Sequence, residues 1–384
     1  MIRSEYTAAD ANQVRSAFAC AAAAGDNKGV KKTLRLTVNA QDLEGIEAKQ
    51  ALERCAKILR AGGLVALPTE TVYGLGANAL DRQAVESIFR AKQRPAWDPV
   101  IVHIADRDAG QRMLEGLVAD IPERARKLMH AFWPGPLTLL LPRSRAVPDA
   151  VTAGRPLVGV RMPAHPVALA LIRRAGVPVA APSANVFGHT SPTTADHVLE
   201  DLDGRIDAVL DAGPTSHGVE STVLDPGQDP MVIYRPGAVT ADQTRDVAGA
   251  VEMYQTGQVS AALPGEALPS PGVGLRHYAP RARLHLVEAP PAELARRLAE
   301  MAKLLEGERV GMLLPAELQA RLPGVNVFPW GSWSAPEELA RNLYAGLRSL
   351  DALGCSVILC PMPPAEGLGA AIRDRLLKAA QPAK

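Results

Sequence analysis

Gly62-Gly63-Leu64-Val65-Ala66-Leu67-Pro68-Thr69-Glu70-Thr71-Val72-Tyr73-Gly74-Leu75-Gly76 is the stretch around which the chain is organised. The opening glycine pair can end a helix, because glycine accepts a left-handed backbone. Leu64 to Leu67 is an apolar run of strand length, bounded by glycine and proline. The texture then changes within one residue. Thr69, Glu70, Thr71 and Tyr73 crowd polar side chains into a loop that runs on through Gly74 and Gly76. A buried strand feeding a polar, glycine-containing loop is how α/β enzymes present groups at the carboxyl ends of strands. A strand followed by an ordinary surface turn would show the same letters, so the rest of the chain has to decide.

Upstream, Leu52, Cys55, Ile58 and Leu59 have helical spacing within 42–61. Downstream, Asp81 is placed to cap a helix that carries Val85, Ile88 and Phe89 and ends at Lys92-Gln93-Arg94-Pro95. A strand is expected over 99–104, with His103 in an apolar run, and a helix over 121–132 that stops at Trp133-Pro134-Gly135-Pro136. Strands follow at 137–142, 157–162 and 177–181, with a helix at 166–175. A second polar island comes next, Pro182-Ser183-Ala184-Asn185 and then Ser191-Pro192-Thr193. A helix over 194–202 is followed by strands near 208–211, 221–225 and 231–235. Those strands have no helix between them, which favours a mixed sheet over a purely parallel one.

From about 241 the periodicity fades, and 254–281 is rich in Gly, Pro and Ser. Beyond it, strand-like runs at 283–288, 309–315, 326–329 and 356–361 alternate with helix-like runs at 291–305, 336–353 and 369–380. The expected class is therefore α/β: a mixed, twisted sheet with helices, plus a smaller C-terminal α/β domain with a mainly parallel sheet. The divisions are a weakly ordered N-terminal extension over 1–40, a catalytic domain over 41–240, a linker or lid over 241–281, and the small domain over 282–384.

With 384 residues, 47% hydrophobic, the chain is long enough for two domains without staples. A net charge of +1 gives no electrostatic case for nucleic acid as the main ligand. Cys20, Cys55, Cys355 and Cys360 form no Cys-x-x-Cys pair, and they read as reduced thiols of a cytoplasmic protein. No apolar run is long enough to span a membrane. The apolar run at 17–24 is too short, and its flank too mixed in charge, for a signal peptide.

Lys92 and Arg94 read either as helix-dipole partners or as a cationic clamp for phosphates. His103 fits a satisfied core histidine as well as a ligand. Arg161 ends an apolar strand and must find a partner, for which a ligand carboxylate suits its fork. Ser183, Asn185 and Ser191 alone would read as turn formers and caps. Acidic residues are scarce in these loops, which favours binding of anions over acid–base hydrolysis.

Joined in order, these motifs resemble the two-domain threonylcarbamoyl-AMP synthases of the YrdC-like superfamily. The resemblance rests on Pro68–Leu75, Lys92–Pro95, His103, Trp133–Gly135, Arg161, Pro182–Asn185, Ser191–Thr193, Ser221–Val223, Arg235–Gly237 and His277–Pro280. It runs from about residue 48 to 240 and continues through the linker motif into the small domain. It implies a YrdC-like fold and the condensation of L-threonine, bicarbonate or CO2, and ATP into threonylcarbamoyl-adenylate and pyrophosphate, with Mg²⁺ accompanying ATP. A downstream threonylcarbamoyl-transferase complex and tRNA are the implied partners. By resemblance, Thr71, His103, Arg161, Ala181 and Ser221 line the threonine site. Lys92, Arg94, Asp98, Leu157, Ser183, Ser191, Arg235 and Tyr278 surround ATP, with Thr69, Asn185 and His277 in support. Asp98 stands where the family often has Asn, and Gly274-Leu275 where a Lys-Tyr pair is common. The rival reading is an RNA-binding module, or another carbamoyl-adenylate enzyme of the same fold.

Overall fold

The computed structural model of the chain describes residues 32–254, 267–268, 270, 272–273, 277–318 and 323–382. The first part of the described chain runs β1 (Leu34–Thr37), α1 (Ile46–Arg60), β2 (Val65–Leu67), β3 (Gly74–Asn78), α2 (Arg82–Lys92) and β4 (Ile101–His103). Next come α3 (Arg107–Leu117), α4 (Glu123–Phe132), β5 (Leu137–Pro142), α5 (Asp149–Thr152), β6 (Leu157–Arg161) and α6 (Pro166–Ala175). The domain closes with β7 (Val179–Ala180), α7 (Ala195–Leu202), β8 (Ala208–Asp211), β9 (Thr222–Asp225), β10 (Met231–Arg235), α8 (Ala241–Ala248) and β11 (Val251–Met253). These strands make one 11-stranded mixed sheet in the order β1-β8-β2-β3-β7-β4-β6-β5-β9-β10-β11.

The helices form where their ends are specified. Asp81 accepts hydrogen bonds from the amides of Gln83 and Ala84, and Gln93 closes α2 in the left-handed conformation. Thr240 and Gln243 make a reciprocal capping box at the start of α8. Val85 and Ile88 are fully buried, and each such side chain contributes about 1.5–3 kcal/mol of transfer free energy. One core cluster joins the large domain, from Leu52 and Leu59 through Val160 and Leu171 to Ile233.

The small domain consists of β12 (Arg283–Val287), α9 (Pro291–Leu304), β13 (Val310–Pro315), β14 (Asn326–Gly331), α10 (Pro336–Ala352), β15 (Val357–Pro361) and α11 (Leu368–Ala379). Its strands form a parallel four-stranded sheet in the order β12-β15-β13-β14. Val72 and Val219 of the large domain sit in the same apolar cluster as Leu313, Trp330 and Leu343 of the small one. Gly218 makes that seam possible. A Cβ there would lie 2.4 Å from the Ala340 carbonyl oxygen and from Arg341 Cα. Arg348 of α10 reaches back to Asp201 and Glu200, at 2.9 Å each.

Several expectations are corrected. Residues 1–31 of the expected N-terminal extension lie outside the described residues, but 34–37 are not loose: β1 pairs in parallel with β8. The polar loop after β2 ends at Tyr73, because Gly74 to Asn78 turns back as a strand antiparallel to β2. The expected linker from 241 begins with α8, and β11 then adds an edge to the large sheet beside β10. Residues 255–266, in the middle of that expected linker, lie outside the described residues. Cys55, Cys355 and Cys360 are free and buried, and Cys20 lies outside the described residues. Among the described residues no helix is long and apolar enough to cross a membrane.

Candidate active site

Strand ends deliver the site. β4 and β6 are parallel neighbours, and their register sets His103 against Arg161. The loop from Pro68 to Tyr73 leaves the end of β2 beside them, and Tyr73 is held to Pro192 by a 2.9 Å backbone hydrogen bond. A cavity of about 550 Å³ including its open mouth lies here. Its polar lining includes Thr69, Thr71, Arg94, His103, Arg161 and Ser183. Ser221, Arg235, His277 and Tyr278 complete that side of the site, and Ala181 contributes backbone.

Arg161 is nearly fully buried and its fork is already occupied. Nη1 donates to Thr71 Oγ1 at 2.9 Å, Nε donates to the Gly135 carbonyl at 3.1 Å, and Nη2 lies 2.7 Å from Glu70 Oε1. Glu70, seen as part of the polar loop but given no role, is thus the partner that the sequence reading sought in a ligand. Burial alone would raise the Glu70 carboxyl, but the Arg161 charge beside it outweighs this and holds it below its ordinary value. Burial and then the Arg161 charge push His103 down to about 3, so its ring is neutral, and its Nδ1 has no hydrogen-bond partner among the described residues.

On the other wall, Arg235 donates through Nε to the Ser221 carbonyl at 3.0 Å and through Nη2 to Ser221 Oγ at 3.1 Å. Thr138 Oγ1 shares a 2.8 Å hydrogen bond with the same hydroxyl. Arg94 donates to the Pro99 carbonyl at 2.6 Å and pairs with Asp98 at 2.9 Å. Tyr278 is buried with a left-handed φ of 65°, an uncommon conformation for a bulky residue. Its ring stacks on Tyr344, and the residue lines the cavity, its hydroxyl without a hydrogen-bond partner among the described residues. Both ring nitrogens of buried His277 also lack hydrogen-bond partners among the described residues.

Other expected residues stand behind the lining. Lys92 is fully buried, and its Nζ donates to the carbonyls of Ser183 and Asn185 at 2.5 Å each, so it pins that loop. Burial, then the Arg94 charge, depress the Lys92 ammonium well below its ordinary value. Asn185 donates to the carbonyls of Val186 and His189. Ser191 donates to Glu220 Oε1 at 2.6 Å. Leu157 packs with Ile101, Leu140 and Val223 on the sheet. Asp98 is closed off by Arg94, and burial outweighs that ion pair to raise its carboxyl.

Glu220 lines the cavity and was missed. An acidic residue opening the apolar strand after Gly218-Val219 was the available signal. With Glu70 it corrects the expectation that these loops are short of carboxylates, although each is bound to an arginine. Among the described residues no group of three His, Cys, Asp or Glu could hold a metal ion. The donor set does not suit a protein-held Mg²⁺.

The geometry is a cavity with an open mouth on which arginines and hydroxyls converge, suited to an anionic ligand pair. Comparison with known proteins gives the family. A family model described as telomere recombination matches residues 57–237, and one described as threonylcarbamoyl-AMP synthase, C-terminal domain, matches 239–381. The threonylcarbamoyl-AMP synthase of Pyrococcus abyssi is 45% identical over 84% of this chain and 92% of its own. That of Bacillus subtilis is 43% identical over 91% and 98%. The crystal structure of P. abyssi Sua5 complexed with L-threonine superposes with a TM-score of 0.82 at 42% identity, covering 91% of this chain and 98% of that one. With both halves matched in order and relatives covered almost end to end, the chain belongs to the threonylcarbamoyl-AMP synthase family.

Proposed function

We propose that this chain condenses L-threonine, bicarbonate or CO2, and ATP into threonylcarbamoyl-AMP, releasing pyrophosphate. The observation that carries this reading is the convergence of Arg94, Arg161 and Arg235 with Thr71, Ser183 and Ser221 on one cavity. Threonine's amine nitrogen bonds to the carbon of CO2 and loses a proton, giving a carbamate. A carbamate oxygen then bonds to the α-phosphorus while the bond from that phosphorus to the bridging oxygen breaks, and pyrophosphate leaves with the electron pair. Two anions must approach each other, so the task of the protein is alignment and charge compensation.

In this reading Thr71, His103, Arg161, Ala181 and Ser221 receive threonine. Arg94, Ser183, Arg235 and Tyr278 face ATP, while Lys92 and Asn185 shape the loop that carries Ser183. Mg²⁺ comes with the phosphates of ATP and is not assigned to protein carboxylates. The product serves a threonylcarbamoyl-transferase complex that modifies tRNA in the cytoplasm. The test is pyrophosphate release by the purified chain with ATP, Mg²⁺, threonine and bicarbonate. Release is expected to need both threonine and bicarbonate. Equal release without threonine, or tRNA binding with no adenylate formed, would overturn the proposal.

A further inference from the structure

Arg375 lies on α11, the last helix of the small domain, outside every motif that pointed to the site. It is fully buried, and its contacts point at the large domain. Nε donates to Glu220 Oε2 at 2.7 Å, and Nη2 donates to the Pro236 carbonyl at 2.9 Å, one residue past Arg235. Its Cζ lies 5.2 Å from the centroid of the Tyr278 ring. Within its own helix it pairs with Asp374 at 2.6 Å.

Glu220 is the hinge of this arrangement. Its other contacts are neutral donors: Ser191 Oγ on Oε1 at 2.6 Å and the Tyr344 hydroxyl on Oε2 at 2.8 Å. Arg235 lines the same cavity as Glu220, holds the adjacent Ser221, and is followed in the chain by Pro236, whose carbonyl Arg375 holds. A buried carboxylate stripped of its own guanidinium is left uncompensated and attracts the cations that remain near it. Were Arg375 neutral, Glu220 would compete with the ligand for Arg235.

We propose that Arg375 is a positioning residue for the reaction. By neutralising Glu220 from the small domain, it leaves Arg235 free for the nucleotide phosphates. The inference rests on the reading of the cavity as an ATP and threonine site. It gives the small domain a part in nucleotide binding that docking alone would not.

The test uses the full chain, with pyrophosphate release measured while ATP and threonine are varied separately. R375M is expected to raise KM for ATP about tenfold or more and to leave KM for threonine within about twofold. R375K, which keeps the charge, should lose less. E220Q/R375M, which removes both buried charges, should bring KM for ATP back to within about threefold of the parent. R348M breaks the other anchor between the domains and should not reproduce the selective effect on ATP. Equal rises in both KM values, or a double variant no better than R375M, would make Arg375 a structural anchor and overturn the proposal. If R375M does not fold, the double variant decides: a tenfold rise in its KM for ATP overturns the proposal, and a near-parental value supports it. A parent that releases no pyrophosphate would count against the functional reading itself. Calorimetry of ATP with the parent and R375M then tests Arg375 separately, and equal affinity overturns its role.

Discussion

At Arg161 two demands meet on one guanidinium. Glu70 and Thr71 already hold it, so removing it does more than empty a ligand contact. Arg161→Ala leaves Glu70 as an unpaired buried carboxylate, which should cost about 3–5 kcal/mol of stability. The same change should also weaken threonine binding far more than ATP binding. The two effects separate in Glu70→Gln/Arg161→Ala, which should recover most of the lost melting temperature but none of the threonine affinity. Thermal unfolding and calorimetry check this. A double variant that regains threonine binding would mean Arg161 serves Glu70 alone. Arg161 itself was legible in the sequence, because an arginine ending an apolar strand demands a partner. Its partner was not legible, since Glu70 is set opposite it only when the β2 loop is laid beside β6. Glu220 was missed for the same reason: its cation lies 155 residues further along the chain.

At the scale of elements, what the sequence revealed depended on whether the signal was local. α6 was read to the residue, with proline at its first turn and Gly176 closing it in the left-handed conformation. β3 was not, because Gly-Leu-Gly-Ala-Asn carries no alternation and becomes a strand through its pairing with β2 and β7. α3 escaped notice because Gly110 and Gly116 dilute its pattern, yet Gly110 is required: a Cβ there would lie 1.9 Å from the Ala105 carbonyl oxygen. The C-terminal limit of the large domain has a practical result. A chain ended after Thr240 loses α8 and β11, whereas one ended after Tyr254 keeps both. The longer piece is expected to melt several degrees higher, and scanning calorimetry would show it. Both pieces lack the residues that back the cavity and should make little product. Tyr278→Ala in the full chain should also lower product formed per ATP consumed, with the melting temperature shifted by only a few degrees. A variant with the parent's ratio would leave Tyr278 without a part in the reaction.

For the whole molecule, the buried charge pairs at the seam set the response to acid. Burial alone would raise the Glu220 carboxyl, but Arg375, Arg235 and the Ser191 hydrogen bond together lower it to about 2. A carboxylate depressed on folding stabilises the protein fully above its unfolded value near 4.5, and that contribution is lost as pH falls toward 2. The span corresponds to about 3 kcal/mol. Urea unfolding between pH 5 and pH 3 should show the parent losing stability more steeply than E220Q. Equal slopes would mean that other groups carry the acid response. The strand β1 imposes an order in time as well as in space. It is made well before its hydrogen-bonding partner β8, which lies at residues 208–211. Until β8 has been made, β1 lacks the strand it pairs with among the described residues, and that side of the large sheet waits for it. Translation therefore delivers β1 before the strand that covers it, and until then its edge is open to other pairings.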